Sequence, residues 1–177
     1  APRILERELR KPGYRPRTLM LGANTDPYQP IERDRRITRG ILEVMAAFNH
    51  PLTITTKSAL VVRDIDILAP MAERRLVGVA VSVTSLDGKL ARSMEPRAAS
   101  PRRRLETIRQ LTAAGIPVKV LVAPVVPFLT DHEIESILAA AAGAGAIAAD
   151  YILLRLPLEL KGLFAEWLNT HQENKAN

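Results

Sequence analysis

The sequence predicts an α/β protein, a partial (β/α) barrel built from five parallel strand–helix units whose first strand is missing. Three observations carry this expectation. Short β-rich runs recur roughly every 30 residues, about the length of one βα unit. Most of these runs are continuously apolar, as parallel strands buried on both faces are. Segments with helical spacing lie between them.

The runs are residues 18–21, 52–56, 76–83, 118–122 and 151–154. The first intervening helix is expected over 38–48, with Ile41, Leu42, Met45 and Phe48 on one face. The next covers 64–74 through Ile67, Leu68 and Met71, with Pro70 as an internal kink point. A third covers 101–114: Ser100 caps it, Pro101 takes its first position and Gly115 stops it. Thr130 and Glu133 have capping-box spacing ahead of Ile134, Ile137 and Leu138. A final amphipathic helix is expected over 160–168.

Crossovers of one hand in series produce either an open doubly wound sheet or an arc of a barrel. The charged, helical segment 4–11 leads the chain with no strand before it. That favours an arc whose first strand lies ahead of Ala1. The polar exit through Asn174 and Lys175 likewise reads as the interior of a longer protein, so residues 1–177 form a single truncated domain lacking a C-terminal extension.

Composition narrows the chemistry. The chain is 47% hydrophobic but only 4% aromatic, so aliphatic side chains must fill the core. A net charge of +6 admits nucleic acid or a small phosphorylated molecule as partner. There is no cysteine, which removes disulfides, thiolate metal sites and a thiol nucleophile from these residues. No apolar run approaches the about 18 residues of a membrane span, and no signal peptide opens the chain, so a cytoplasmic location is expected.

Ligands of such folds gather at the C-terminal ends of the strands. After the first run come Asn24, Thr25 and Asp26; after the second, Lys57 and Ser58; along the end of the third, Ser82 and Thr84. The fourth run ends at Ala123 and Pro124 and the fifth at Leu154 and Arg155. A lysine, an aspartate and several hydroxyls over an apolar wall suit an amino-acid-like or nucleoside-like ligand.

These segments resemble the radical S-adenosylmethionine proteins related to spore photoproduct lyase, the DNA repair photolyase-like group. The resemblance runs through 22–32, Thr56-Lys57-Ser58, 81–84, 95–101, 114–118, Val122-Ala123-Pro124, 127–131 and 155–159. It implies a (β/α)6 partial barrel in which a CxxxCxxC loop holds a 4Fe–4S cluster. There S-adenosylmethionine is cleaved reductively, with an external electron donor, to a 5′-deoxyadenosyl radical. By position, it implies Asn24, Thr25 and Asp26 near the amino group of S-adenosylmethionine, and Lys57 and Ser82 on its carboxylate or ribose with Thr84 beside them. Ala123 and Leu154 would line the adenine. Such a parent protein would be a lyase-like enzyme of nucleic-acid repair or modification. The cysteine motif is absent here, so no metal ligand is assigned and the chain by itself is expected to be inactive. The alternatives are an ordinary barrel lyase or aldolase-like enzyme using Lys57, and a non-catalytic binding domain.

Other features have blander readings. Arg102, Arg103 and Arg104, and the basic stretch 33–39, are read as solvated charged faces. His132-Glu133 lacks the second histidine of a zinc helix. His50 is placed in a helix-to-strand loop, His171 in a polar tail, and 139–146 at a close-packed helix end.

Overall fold

The structure, a computed structural model, describes residues 1–171. The expected tail around Asn174 lies outside the described residues. Five strands form one sheet in the order β1 (Leu19–Leu21), β2 (Leu52–Thr56), β3 (Val77–Ser82), β4 (Val118–Val125), β5 (Ala148–Leu153). Every neighbouring pair is parallel, with Leu19 beside Leu52, Leu52 beside Val77, Val79 beside Val118 and Lys119 beside Ala148.

This order decides between the two architectures. A doubly wound sheet reverses its strand order at a switch point and carries helices on both faces. Here the order is sequential, and the helices between strands share one apolar core with one face of the sheet. They are α3 (Ile37–Ala47), α4 (Ile65–Glu73), α6 (Pro101–Ala113) and α7 (Ile134–Gly143). Leu42, Met45, Leu68, Met71, Ile108, Leu111 and Ile137 meet Leu52, Ile54, Val79, Val118 and Val120 there. The sheet is an arc of a barrel.

The opposite face departs from the expectation of strands buried on both sides, except along β3, where five of six residues are buried. Burial alternates along β2, and Thr53, Thr55, Gly78, Ala80, Lys119 and Leu121 line a concave face with a cavity of about 560 Å³. Every residue of β5 is exposed, and Lys119 pairs with Asp150 across this open side. Small and polar groups fill alternate positions because the lumen holds no packed layer there.

Element boundaries shift in instructive ways. α1 (Pro2–Leu9) packs across α3 and buries Leu9. The helix expected over 64–74 begins as a 3₁₀ turn, Ala59–Asp64, and continues as α4 with Pro70 inside it. Two short helices, α2 (Glu32–Arg35) and α5 (Gly88–Met94), form in segments for which no helix was expected. β5 starts before the expected residue 151 because pairing with β4 draws in the alanines that precede it. The last helix, α8 (Leu158–His171), is longer than expected, and His171 ends it, stacked on Trp167. Ser100 does cap α6, accepting from Arg103 N at 3.3 Å. Gly115 ends that unit with φ +75°.

The capping box at Thr130 does not form. Thr130 Oγ1 instead accepts from Val126 N at 2.9 Å. Glu133 reaches back to the loop after β3, accepting from Ser85 Oγ at 2.6 Å and Leu86 N at 2.7 Å. Thr130 turns back to the end of β4 and Glu133 reaches a neighbouring unit, so neither side chain caps the helix that follows.

Candidate functional site

The C-terminal rim is assembled by carboxylates that stitch neighbouring loops together. β1 ends at Gly22, whose φ of +96° and close approach to β2 exclude a side chain: a Cβ there would lie 2.1 Å from the Thr55 carbonyl oxygen. The chain then turns to Asp26. Its Oδ1 accepts from Tyr28 N at 2.8 Å and from the Thr56 hydroxyl at 2.7 Å, and its Oδ2 accepts from Lys57 N at 2.7 Å. Asp26 therefore clamps the loop after β1 to the end of β2. Oδ1 is saturated, and Oδ2 keeps one lone pair for a ligand.

Behind this loop lies a buried anchor. Tyr28 donates to Asp64 Oδ2 at 3.0 Å, and Asp64, fully buried, also binds Arg39 and Arg63. Burial first, and the Asp64 carboxylate second, push the Tyr28 phenol far above its ordinary range, so it stays neutral and donates. Arg63 further donates to the Glu32 carbonyl at 2.7 Å, while the buried Glu32 carboxylate accepts from Ile37 N and Thr38 N. The reading of 33–39 as a solvated face fails for Arg39, which pairs with Asp64 and Asp66; Arg33 is exposed.

On the other side of Lys57 stands Glu95, just past α5. Its Oε1 pairs with the Lys57 ammonium, and its Oε2 accepts from Arg104 Nη2 at 2.6 Å and from Thr84 Oγ1 at 3.2 Å. Burial acts to raise the Glu95 carboxyl, but the charges of Lys57 and Arg104 outweigh it and hold the group below its ordinary value. Arg104 is 2% exposed and also donates to the carbonyls of Ala99 and Ser82, at 2.7 and 3.1 Å. The expectation of a solvated Arg102–Arg103–Arg104 face thus holds for the first two and fails for the third. Arg104 turns back under β3, where its charge is matched.

The expected site residues fall into three groups. Asp26, Lys57, Ser82 and Thr84 converge through this network. Ser82 is buried and spends its hydroxyl proton on the Ala123 carbonyl at 3.0 Å, so it can only accept from a ligand. Ala123 is joined to the group through that carbonyl. Asn24 and Thr25 are exposed on the loop beside Asp26, and neither side chain bonds to another described residue. Leu154 stands apart, packed with Leu90, Val126, Leu129 and Trp167 under α8. Glu95 and Arg104, the remaining partners of the rim, were not among the expected site residues. Their spacing, nine residues apart with Pro101 starting a helix between them, was a signal only once α5 and α6 were known to fold onto β3. His50 was placed correctly in a loop, but it is buried against Tyr14 at 2.7 Å.

A cation held at the end of β2, a hydroxyl acceptor at the end of β3 and one free lone pair on Asp26 can take a zwitterionic, hydroxyl-bearing ligand. Iron–sulfur ligation is another matter. The chain has no cysteine, and the described residues contain no cluster of three metal-binding side chains. Residues present here do not fit such a cluster.

Comparison with known proteins agrees with the architecture. An uncharacterized protein of Mycobacterium tuberculosis is 40% identical over 167 residues, covering 93% of this chain and 49% of its own length. One from Methanocaldococcus jannaschii is 30% identical over 115 residues, 65% of this chain and 43% of its own length. The chain spans about half the length of the curated relatives it matches. Among solved structures, a spore photoproduct lyase variant with bound AdoMet and dinucleoside spore photoproduct superposes with a TM-score of 0.68 at 16% identity, over 97% of this chain and 51% of that one. SuiB of Streptococcus suis gives 0.52 at 14% identity, over 76% and 33%. At such identities the likeness is one of fold. The radical SAM superfamily model matches residues 3–141, which include four of the five strands and the whole Asp26–Lys57–Glu95–Arg104 rim. By that match and by its sequential parallel arc, this chain belongs to the radical SAM superfamily.

Proposed function

We propose that the rim formed by Asp26, Lys57, Ser82 and Thr84 binds S-adenosylmethionine, and that this chain is the ligand-holding arc of a larger radical SAM protein. The observation that carries the reading is Lys57. Its backbone is fixed by Asp26 and its ammonium by Glu95, so one cation is aimed at the end of β3 with donors to spare. Lys57 takes the ligand carboxylate, Ser82 accepts from a ribose hydroxyl, and the remaining Asp26 lone pair accepts from the amino group with Asn24 and Thr25 alongside. Ala123 is the residue proposed toward the adenine, with Leu154 reaching it only through the end of β4, where its amide donates to the Val125 carbonyl at 2.8 Å. Thr84, bonded to Glu95, keeps the lysine's counter-ion in place.

Bound S-adenosylmethionine would supply the sulfonium whose reductive cleavage gives radical chemistry. The thiolates for a 4Fe–4S cluster would have to come from polypeptide outside this sequence, together with an electron donor. Taken alone, the chain is proposed to bind the ligand without cleaving it. The net charge of +6 and the likeness to a protein with a bound dinucleoside support a nucleic-acid substrate for the whole protein.

The rival lyase reading, with Lys57 as a Schiff-base nucleophile, is disfavoured by the same ion pair, since a salt-bridged ammonium has no lone pair for a carbonyl. A binding domain without catalysis is the second reading, favoured by the lack of cysteine. Calorimetric titration tests the proposal: S-adenosylmethionine should bind, Lys57→Ala should weaken it by about tenfold or more, and decarboxylated S-adenosylmethionine should bind both forms alike. Equal affinity of the two proteins for the intact ligand would refute it.

A further inference from the structure

Against the rim, among the loops that follow β1 and β2 and residues 97–103, lies a groove of about 700 Å³. Arg33, Lys57, Arg97 and Arg103 line it, with Asp26 as the single carboxylate among its lining residues. Asp26 is already engaged by three donors. Arg33, Arg97 and Arg103 are exposed, and no carboxylate pairs with them among the described residues. Other arginines of the same region, Arg39, Arg63 and Arg104, are all ion-paired.

The three free guanidinium groups also start from fixed backbone. Arg33 adjoins Glu32, whose buried carboxylate is held by two backbone amides at 3.0 Å. Arg97 lies two residues past Glu95, which is bonded to Lys57, Arg104 and Thr84. Arg103 adjoins the buried Arg104, and its amide is held by Ser100. Like charges gathered on anchored segments repel one another, and a bound anion relieves that repulsion. Arginine forks match the oxygens of phosphate in two-pronged geometry. No ring is offered for stacking, because Tyr28, the groove's one aromatic residue, is buried with its hydroxyl on Asp64.

We propose that this groove binds phosphate groups through Arg33, Arg97 and Arg103, without reading bases. The phosphates belong either to a free nucleotide or to the backbone of a nucleic acid. The groove shares Asp26 and Lys57 with the proposed S-adenosylmethionine rim, but its three free arginines lie outside that set, and the proposal does not depend on that reading.

The test uses the full chain without S-adenosylmethionine, so failure of one proposal leaves the other standing. A labelled single-stranded oligodeoxynucleotide is titrated by fluorescence anisotropy and competed with inorganic pyrophosphate and with an oligoglutamate peptide. Binding is expected, and the triple variant Arg33→Gln, Arg97→Gln, Arg103→Gln should weaken it by about tenfold or more and flatten the log affinity against log salt slope by about 2. A charge-matched control, Arg15→Gln, Arg17→Gln, Arg92→Gln, should change affinity by less than about twofold, since its exposed arginines lie outside the groove. Displacement by pyrophosphate assigns the site to isolated phosphates; resistance to pyrophosphate with the steep salt slope assigns it to a backbone. Circular dichroism melting verifies that both triple variants fold. The proposal is overturned if the oligonucleotide and pyrophosphate both fail to bind, if the two triple variants lose affinity equally, or if oligoglutamate competes as well as the phosphates.

Discussion

Arg104 Nη2 donates to Glu95 Oε2 across 2.6 Å, while the other oxygen of the same carboxylate holds the Lys57 ammonium. One glutamate thus joins a buried guanidinium to the most chemically useful cation of the rim. Replacing Glu95 by Gln leaves Arg104 buried with only carbonyl partners, and should cost about 3 kcal/mol near neutrality.

That cost should depend on pH with a definite sign. The folded Glu95 carboxyl lies below its ordinary value of 4.5. A depressed folded value means that its stabilisation is fully present above the unfolded value and is lost as pH falls through the folded one. Urea unfolding of the parent chain and of Glu95→Gln, compared from about pH 7 down to about pH 3, should show the stability gap narrowing with acid. A gap that stays constant, or widens, contradicts the network.

Asp26 makes a second, independent prediction. In Asp26→Asn the new amide must face one of three donors, Tyr28 N, Thr56 Oγ1 or Lys57 N. The expected loss is about 2 kcal/mol, with faster hydrogen exchange at the Tyr28 and Lys57 amides. Unchanged protection at both amides would show that Asp26 is not the clamp.

Gly22 tests the close approach of β1 to β2. Ala there meets both a positive φ and the Thr55 carbonyl. Gly22→Ala should destabilise by at least about 2 kcal/mol, measured by thermal or urea unfolding, whereas Gly88→Ala, where nothing lies near the added Cβ, should be nearly neutral.

Tyr28 and Asp64 separate a hydrogen bond from a buried charge. Tyr28→Phe removes one donor to Asp64 and should cost about 1 kcal/mol. Asp64→Asn strands Arg39 and Arg63 and should cost about 3 kcal/mol or more. In an alkaline titration followed by phenolate absorbance, Tyr28 should ionise only as the protein unfolds, because burial and Asp64 both oppose its charge.

The parts of this architecture that follow local chemistry were legible in the sequence. β2 was located to the residue because Leu52 and Ile54 alternate with threonines, and α6 was bracketed by Ser100 and Gly115. Rim residues Asp26, Lys57, Ser82 and Thr84 could be chosen because each follows or ends a strand. What was not legible depends on pairings distant in sequence. Glu95 finds Lys57 only after α5 folds back, and Glu133 abandons its own helix for Ser85 and Leu86. The apolar run of β4 suggested burial on both faces, yet alternate positions open onto the concave side, whereas β3 is buried along nearly its whole length. A run of apolar letters records hydrophobicity, and the number of covering layers is a tertiary property.

Amide chemical-shift mapping with S-adenosylmethionine decides whether the Asp26–Lys57 rim is the ligand site. Shifts should concentrate at residues 23–26, Lys57, Ser58 and 82–84, and in Lys57→Ala they should saturate only at about tenfold higher ligand concentration or more. Shifts confined to the Arg33, Arg97 and Arg103 groove, or no saturable shifts at all, would contradict it.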